Sequence, residues 1–240
     1  MLNKNKIITV IPARNEENII SHLVSGISRD FIDCVLVVDD ASSDATSLIA
    51  KKAQAVVISH DKRLGCGPAI RTGIEYAISN GYDIIVVMAG NGKDDPNQII
   101  DLLNEISKNN LDFVQGSRYL KGGVSKNMPF HRVIGTKAYS FLFSVLVGHK
   151  ITDGTNGFRA FRVSLFKDKR INIWQDWIKN YELESYLYYK TANLGYRIKE
   201  VPVSKIYPKD TSKGYTQMKP FSGWWSHFRP VFLLSLGIKK

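Results

Sequence analysis

The sequence predicts an α/β fold of the Rossmann-like kind, a mostly parallel sheet with helices on both faces. In the first half, short β-branched runs alternate with segments of helical periodicity, and most of these runs end in a polar loop. Strands separated by helices in this way form parallel sheets, because each helix returns the chain to the same edge. Hydrophobic residues make up 44% and charged residues 23% of the 240 positions, which is typical of a folded domain.

The predicted elements follow the hydrophobic pattern in chain order. Strands are expected at residues 7–11, 34–38, 55–59, 84–88 and 112–115. Helices are expected between them at residues 16–27, 43–53, 68–79 and 96–107. Ser42 or Ser43 would cap the second helix, and Pro96 would open the fourth. The second half breaks the alternation and predicts a loop at 119–128, helices at 130–147 and 181–193, and strands at 157–162 and 197–203.

The net charge of +11 points to an anionic partner, which could be a nucleic acid, an anionic lipid or a phosphorylated substrate. No helix-turn-helix pattern and no basic groove with interleaved aromatic residues is present, so a nucleic-acid partner is not expected. The two cysteines, Cys34 and Cys66, form neither a disulfide framework nor a zinc pattern, and they fit a reducing cytoplasmic environment.

Three polar loops follow predicted strands and concentrate the chemistry. Their sequences are PARNEE at residues 12–17, DDASSD at 39–44 and AGNGKDDP at 89–96. In a parallel sheet all three leave the same carboxyl edge, where α/β proteins usually bind ligands. There they would bring together carboxylates for a ribose or base and an arginine for a phosphate. Taken singly, each loop could equally be a helix-capping or solvated turn.

The ordered combination resembles family 2 glycosyltransferases, which have the GT-A fold. The matching segments are VIPARNEE (10–17), VVDDASSDAT (37–46), GCGPAIRTGI (65–74), VVMAGNGKDDP (86–96), GSRY (116–119) and TDGTNGFRAF (152–161). Within that family the chain is similar to polyprenol-phosphate sugar transferases of the dolichol-phosphate mannosyltransferase kind. The resemblance covers about residues 7–203. It implies an inverting hexosyltransferase that uses a nucleotide-diphosphate sugar and a polyprenyl-phosphate lipid.

The resemblance also implies roles for individual residues. Nucleotide binding is implied for Pro12, Ala13, Arg14, Asn15, Glu16, Asp39, Asp40 and Arg71. Arg118 and Arg132 would face the acceptor phosphate, because a guanidinium matches a phosphate in a bidentate way. Alternatively, Arg118 is a surface charge and Arg132 a helix residue that extends to solvent. The sugar and acceptor side would be lined by Asp153, Gly157, Phe158 and Arg159.

The loop after the fourth predicted strand departs from the family pattern. Relatives carry an Asp-x-Asp motif that binds Mg²⁺ or Mn²⁺, whereas the aligned positions here are Ala89 and Asn91. A divalent metal would have to rely on Asn91, Asp94 and Asp95, and the sequence makes such a cofactor doubtful. Alternatively, Lys93 takes over part of the cation's electrostatic role, or the two aspartates only cap the following helix.

The acceptor limits the chemistry that the protein must supply. A phosphate with a second pKa of about 6 is already ionised near neutral pH, so no general base is required. The protein then contributes positioning and charge neutralisation. Two other readings stay open: a transferase with a saccharide acceptor in cell-surface polysaccharide assembly, and a catalytically impaired protein that binds sugar nucleotides.

The sequence suggests a division into a catalytic domain, residues 1–204, and a basic, aromatic tail, residues 205–240. The tail carries seven basic residues and one acidic residue. Tryptophans beside basic residues favour a membrane interface, so the tail could attach the chain peripherally to the inner face of the membrane. Alternatively it is a solvated basic tail, or a helix packed on the domain or in a homo-oligomer interface. No apolar run is long enough to predict a spanning helix.

Overall fold

The computed structural model describes residues 5–209 and 222–240. The strands are β1 (Ile7–Ala13), β2 (Cys34–Asp39), β3 (Val56–Ser59), β4 (Ile84–Val87), β5 (Phe113–Ser117), β6 (Val124–Lys126), β7 (Arg159–Arg162), β8 (Ile198–Pro202) and β9 (Ser204–Ile206). The α-helices are α1 (Ile20–Gly26), α2 (Thr46–Lys52), α3 (Cys66–Ser79), α4 (Ile99–Lys108), α5 (Phe130–Val147), α6 (Glu182–Asn193) and α7 (Ser222–Ser235).

Seven strands form one sheet in the order β3-β2-β1-β4-β7-β5-β8. Neighbouring strands run parallel except β7, which lies antiparallel between β4 and β5. The strands β1, β2 and β4 are buried almost throughout because hydrophobic clusters cover both faces of the sheet. The expected mostly parallel sheet with helices on both faces is therefore confirmed.

Two helices begin later than the sequence suggests because the loop residues before them make other hydrogen bonds. The helix expected at 16–27 begins at Ile20, and the helix expected at 43–53 begins at Thr46. Neither Ser42 nor Ser43 caps the second helix: Ser42 donates to Asp39, and Ser43 donates to the preceding loop. The polar residues thus build the strand-end loops instead of the first helical turns.

Other boundaries differ in the same local way. The segment expected as one helix at 96–107 opens with a short 3₁₀ helix, Pro96–Gln98, before α4. The strand expected at 157–162 is reduced to β7, since the Asn156 side chain accepts from the Phe158 amide and donates to the Gly116 carbonyl, so that the chain turns before the strand begins. The small parallel sheet formed by β6 and β9 was not expected.

The described parts of the predicted tail pack against the main domain. The strand β9 pairs with β6, and α7 packs on α5 and α6 through Ser226, His227 and Val231. Lys213 and Lys219 of the predicted basic tail lie outside the described residues. Among the helices that the structure describes, none is both long and apolar enough to cross a bilayer.

Candidate functional site at the carboxyl edge of the sheet

The loop after β4 contacts the end of β1 at the carboxyl edge of the sheet. The amide of Gly90 donates to the Pro12 carbonyl at 3.2 Å. A Cβ at Gly90 would lie 3.0 Å from both the Ala13 Cβ and the Pro12 carbonyl oxygen, so the backbones can approach this closely only because residue 90 is glycine. Pro12 and Ala13 therefore form the wall against which the loop carrying Lys93 rests.

The loops after β1 and β2 are interlocked through Asn15. Its side-chain oxygen accepts from the Ser43 amide at 2.9 Å, and its own amide donates to the Ser42 hydroxyl at 2.9 Å. Asn15 adopts a left-handed backbone with φ of 55°, which asparagine tolerates better than most residues. Arg14 precedes it and is half-buried in the same turn. The first two predicted nucleotide loops thus form one rigid unit.

Asp39 and Asp40 shape this edge by accepting hydrogen bonds from neighbouring segments. Asp40 accepts from the Leu64 and Gly65 amides at 2.7 and 2.8 Å and contacts His60 Nδ1 at 3.0 Å. Burial would raise the pKa of Asp40, but the hydrogen bonds from His60 and the two amides outweigh it and hold the pKa below its ordinary value. Asp40 therefore stays ionised and fixes the segment that leads into α3.

Asp39 and Arg71 also make contacts within the protein. Asp39 accepts from the amide and hydroxyl of Ser42, which closes the turn after β2. Arg71 extends from α3 and donates to the Ile178 carbonyl at 2.6 Å. Arg71 thus ties α3 to the segment before α6.

A buried ion pair lies behind the loop after β4. The Lys205 ammonium is 2.6 Å from Asp94 Oδ1, and it donates to Asn156 Oδ1 at 3.1 Å. The Asp94 side chain is fully buried and that of Lys205 is only 10% exposed. The Ile206 amide donates to the Lys93 carbonyl at 2.9 Å, so β9 also holds the backbone of this loop. Asp94 is therefore an internal partner of an ammonium.

Lys93 and Glu16 lie near each other and influence each other's charge. Burial raises the pKa of Glu16 to about 7, although the positive charge of Lys93 opposes this rise. Burial, together with the charges of Lys205 and Arg132, lowers the pKa of Lys93 to about 8, although the carboxylates of Glu16 and Asp94 oppose this fall. Arg132 is half-buried in the first turn of α5. The structure thus brings Glu16, Lys93, Arg132 and Lys205 into one electrostatic group.

Arg118 is engaged in a buried bidentate pair with Asp153. Its Nε and Nη2 lie 2.6 and 2.7 Å from the two Asp153 oxygens, and Nη1 donates to the Tyr207 hydroxyl at 2.9 Å. The arginine is 5% exposed and Asp153 is fully buried. Neither the alternative of a surface charge nor direct exposure to a ligand matches this geometry. The pair instead fixes the turn after β5 to the segment before β7.

Arg159, Gly157 and Phe158 lie deeper than the sequence suggests. Arg159 donates to the Glu184 carbonyl at 2.9 Å and pairs with the Glu184 carboxylate at 3.5 Å. A Cβ at Gly157 would come within 2.8 Å of that carboxylate, so a larger residue there would require the Glu184 side chain to shift. Phe158 is fully buried in the core. Arg159 and Phe158 are therefore buried residues of the domain interior rather than residues of an open surface.

The acidic residues after β4 do not form a set that suits a divalent cation. Asp95 Oδ1 accepts from the Asn97 amide at 2.9 Å and so caps the short 3₁₀ helix, as the capping alternative expected. Asn91 Oδ1 accepts from the Lys93 amide at 3.3 Å. One oxygen of Asp94 binds Lys205, and the other is buried without a hydrogen-bond partner among the described residues. Hard cations need several accessible oxygens, and here the neighbours are cations instead.

The described residues also contain no group of three or more His, Cys, Asp or Glu side chains arranged to hold a metal ion. Of the expected ligand set of Asn91, Asp94 and Asp95, Asp94 is engaged in the ion pair with Lys205 and Asp95 in the cap before Pro96.

Three residues of the site were not predicted from the sequence as ligands or supports. Lys205 was assigned to the tail, and Asn156 and Glu184 were given no role. Asn156 links Lys205 to β5. Its side-chain oxygen accepts from the Lys205 ammonium, and its carbonyl accepts from the Gln115 side chain at 2.7 Å. Asn156 lies within the recognised TDGTNGFRAF segment, which was the available signal. Nothing local marks Lys205, whose partner is 111 residues away.

The profile of the family described as "Glycosyl transferase family 2" matches residues 8–169. A UDP-N-acetylglucosamine–dolichyl-phosphate N-acetylglucosaminyltransferase of Methanococcus voltae is 31% identical, with 84% of this chain and 86% of that protein covered. An undecaprenyl-phosphate mannosyltransferase of Micrococcus luteus is 32% identical, with 84% of each chain covered.

Among solved structures, glucosyl-3-phosphoglycerate synthase of Mycobacterium tuberculosis, in complex with Mn²⁺, UDP and its product, superposes with a TM-score of 0.71. The identity is 19%, and the match covers 98% of this chain and 81% of that chain. This likeness shows the GT-A fold. The family profile and the two relatives establish that the chain belongs to the family 2 glycosyltransferases.

Proposed function

We propose that this chain is an inverting glycosyltransferase that moves a sugar from a nucleoside diphosphate sugar to a polyprenyl phosphate. The names of the two relatives above support a lipid-linked phosphate as acceptor. The nucleotide would lie against the interlocked loops after β1 and β2, and the acceptor would approach from the side of α5.

The observation that carries the choice of acceptor is the character of α5. This helix carries Arg132 in its first turn and exposes a row of large apolar side chains, among which Phe130 is 77% and Phe141 is 72% exposed. An acceptor with a charged phosphate and a hydrocarbon tail needs both features side by side. A saccharide acceptor has no hydrocarbon tail that would cover these apolar side chains.

The proposed reaction needs no dedicated base. An oxygen of the polyprenyl phosphate attacks the anomeric carbon, and the bond from that carbon to the β-phosphate oxygen breaks. The nucleoside diphosphate leaves with the bonding electron pair, and the configuration at the anomeric carbon inverts. Because the acceptor phosphate is already ionised near neutral pH, no proton has to be removed. The chain contributes orientation and positive charge around the phosphates.

The proposal includes a peripheral position at the cytoplasmic face of the membrane. Exposed apolar side chains of α7 and of the residues after it, Trp225, Phe232, Leu236 and Ile238, add to those of α5, and the two helices pack together. A shallow groove of about 440 Å³ on α5 is lined by apolar residues and by Lys137, His149 and Lys150, which suit anionic headgroups. Two free cysteines agree with a reducing compartment.

Turnover experiments test the proposed reaction directly. The full chain would be incubated with a panel of UDP and GDP sugars and with polyprenyl phosphate in detergent, and both the nucleoside diphosphate and the glycolipid would be measured. We expect both products to appear in equal amounts. Turnover with saccharide acceptors alone, or no turnover with any acceptor, would contradict the proposal.

Vesicle flotation tests the membrane surface. Replacing Phe141 and Val145 together by serine removes two side chains that are 72% and 62% exposed. We expect this variant to lose at least about tenfold of its affinity for anionic phosphatidylglycerol vesicles, since each large apolar side chain contributes about 1.5–3 kcal/mol on burial. Leu48→Ser, at a 56% exposed position of α2, is the matched control and should bind as the parent chain does.

Light scattering during gel filtration separates the lipid surface from an interface between two copies of the chain. A dimer that the Phe141→Ser/Val145→Ser variant dissociates, together with unchanged flotation, would overturn the membrane assignment in favour of a homo-oligomer.

A further inference from the structure

We infer that this chain holds the diphosphate of its sugar donor with its own cations, Lys93 and Arg132, in a site buttressed by the Lys205–Asp94 ion pair, and that donor binding does not require a divalent metal. The inference rests on the proposed use of a nucleoside diphosphate sugar, and it goes further by assigning the charge that neutralises the diphosphate to residues of the protein.

The position of Lys93 carries the first step. It belongs to the loop whose Gly90 rests on Pro12 and Ala13, so it lies at the carboxyl edge beside the predicted nucleotide loops. Lys93 interacts electrostatically with Glu16, which follows β1, and with Arg132 of α5. A diphosphate that joins a nucleotide on one side to a sugar facing the acceptor on the other must pass through this region.

The second step concerns the carboxylate that remains in the loop. Asp94 is fully buried and bonded to the Lys205 ammonium at 2.6 Å, so it cannot reach a cation in the open site without giving up this pair. Removing one partner of a buried ion pair is strongly unfavourable. Asp94 therefore acts as a positioning residue: with the hydrogen bond from the Ile206 amide to the Lys93 carbonyl, it fixes the loop that presents Lys93.

The third step is electrostatic. Lys93 is half-buried and is influenced by the positive charges of Lys205 and Arg132 and by the carboxylates of Glu16 and Asp94, which the three cations outnumber. Such a concentration of cations in a partly dry site is unfavourable by itself, and an anion with several oxygens relieves it. A guanidinium and an ammonium together match the oxygens of a diphosphate and would supply the positive charge that a divalent metal would otherwise provide. A metal placed here would instead add to the positive charge.

Calorimetric titration of UDP and of GDP into the full chain tests this inference without relying on turnover. Titrations would be run in excess EDTA and in Mn²⁺. We expect the preferred nucleotide to bind equally well in both. Lys93→Gln and Arg132→Gln should each weaken binding in EDTA roughly tenfold to a hundredfold, as expected for loss of a charge-assisted hydrogen bond. Lys93→Arg keeps the charge and should retain most of the affinity.

Controls separate a local effect on the ligand from loss of folding. Lys108→Gln removes an exposed lysine in the last turn of α4 and should leave nucleotide affinity unchanged. Thermal unfolding of each variant checks that the fold persists. Binding that appears only with Mn²⁺, or Lys93→Gln and Arg132→Gln variants that fold and bind as the parent chain does, would overturn the inference.

Failure of the protein-cation site and failure of the proposed transfer reaction give different experimental results. Glycolipid formation combined with strictly Mn²⁺-dependent nucleotide binding would refute the protein-cation site and leave the reaction intact. Metal-independent nucleotide binding without any transfer to polyprenyl phosphate would refute the reaction and leave the site intact.

Discussion

The edge loops and the buried charge layer use the same residue types for different purposes. In the edge loops, residues 12–17, 39–44 and 60–65, carboxylates and amides accept from backbone N–H groups of neighbouring loops. In the buried charge layer, formed by Arg118, Asp153, Arg159 and Glu184, carboxylates accept from guanidinium groups. The first arrangement shapes a surface, and the second fastens the segments beneath it.

Because of this difference, several charged residues predicted to bind a ligand are instead engaged by partners within the protein. Asp40, Arg118 and Arg159 already have their hydrogen bonds within the protein. Lys93 and Arg132 lie between the two regions and are only half-buried. In the proposed site, the charge that would neutralise the diphosphate is therefore concentrated where the edge loops meet α5.

The largest effect is expected in the buried charge layer. Asp153→Asn leaves Arg118 with an uncompensated buried charge, so the free energy of unfolding should fall by about 3–5 kcal/mol in urea titrations. As a control, Lys199→Gln removes one partner of the exposed Lys199–Glu105 pair and should change the free energy of unfolding by less than about 1 kcal/mol. Unchanged stability of Asp153→Asn with loss of turnover would show instead that this pair acts on the substrate.

A pH effect of intermediate size is expected next to the same layer. Burial, together with the charges of Arg159, Arg132 and Arg118, lowers the pKa of His227 to about 3. The imidazole contacts Ser185 at 3.3 Å and stacks on Tyr181. Because the unfolded chain binds a proton near pH 6.5 and the folded chain does not, stability should fall as pH decreases, by about 2 kcal/mol between pH 7 and pH 5.

Unfolding titrations across this pH range measure the effect of His227. The variant His227→Gln should lose this part of the pH dependence, whereas His22→Gln, at an exposed position of α1, should keep it. A slope that His227→Gln leaves intact would assign the acid sensitivity to other groups.

The smallest effect on folding is expected in the edge loops, where the consequence is for binding. Asp40→Asn removes the charged acceptor of the Leu64 and Gly65 amides, so we expect about 1–2 kcal/mol lower stability. The loosened segment before α3 should also weaken UDP or GDP binding in calorimetry. Asp61→Asn, at an exposed position of the same loop, is the control. If nucleotide affinity survives in Asp40→Asn, the edge loops are not the nucleotide site.

The sequence alone was sufficient for the alternating elements and for the position of the loops. Short β-branched runs and the strongly apolar run at residues 130–147 are local patterns, and α5 has the predicted bounds. The ordered motifs were enough to predict the family and the GT-A fold. These features depend on neighbouring residues along the chain, so a single sequence can reveal them.

Only the tertiary structure decided which charges are paired and which face the site. Lys205 meets Asp94 across 111 residues, and Arg118 meets Asp153 across 35, because β9 and the segment before β7 return the chain to the carboxyl edge. A carboxylate that looks like a metal ligand in the sequence becomes the partner of a buried ammonium once this packing is made. The physical reason is that the role of an ionisable group depends on burial and on partners distant in the chain, which composition and spacing do not encode.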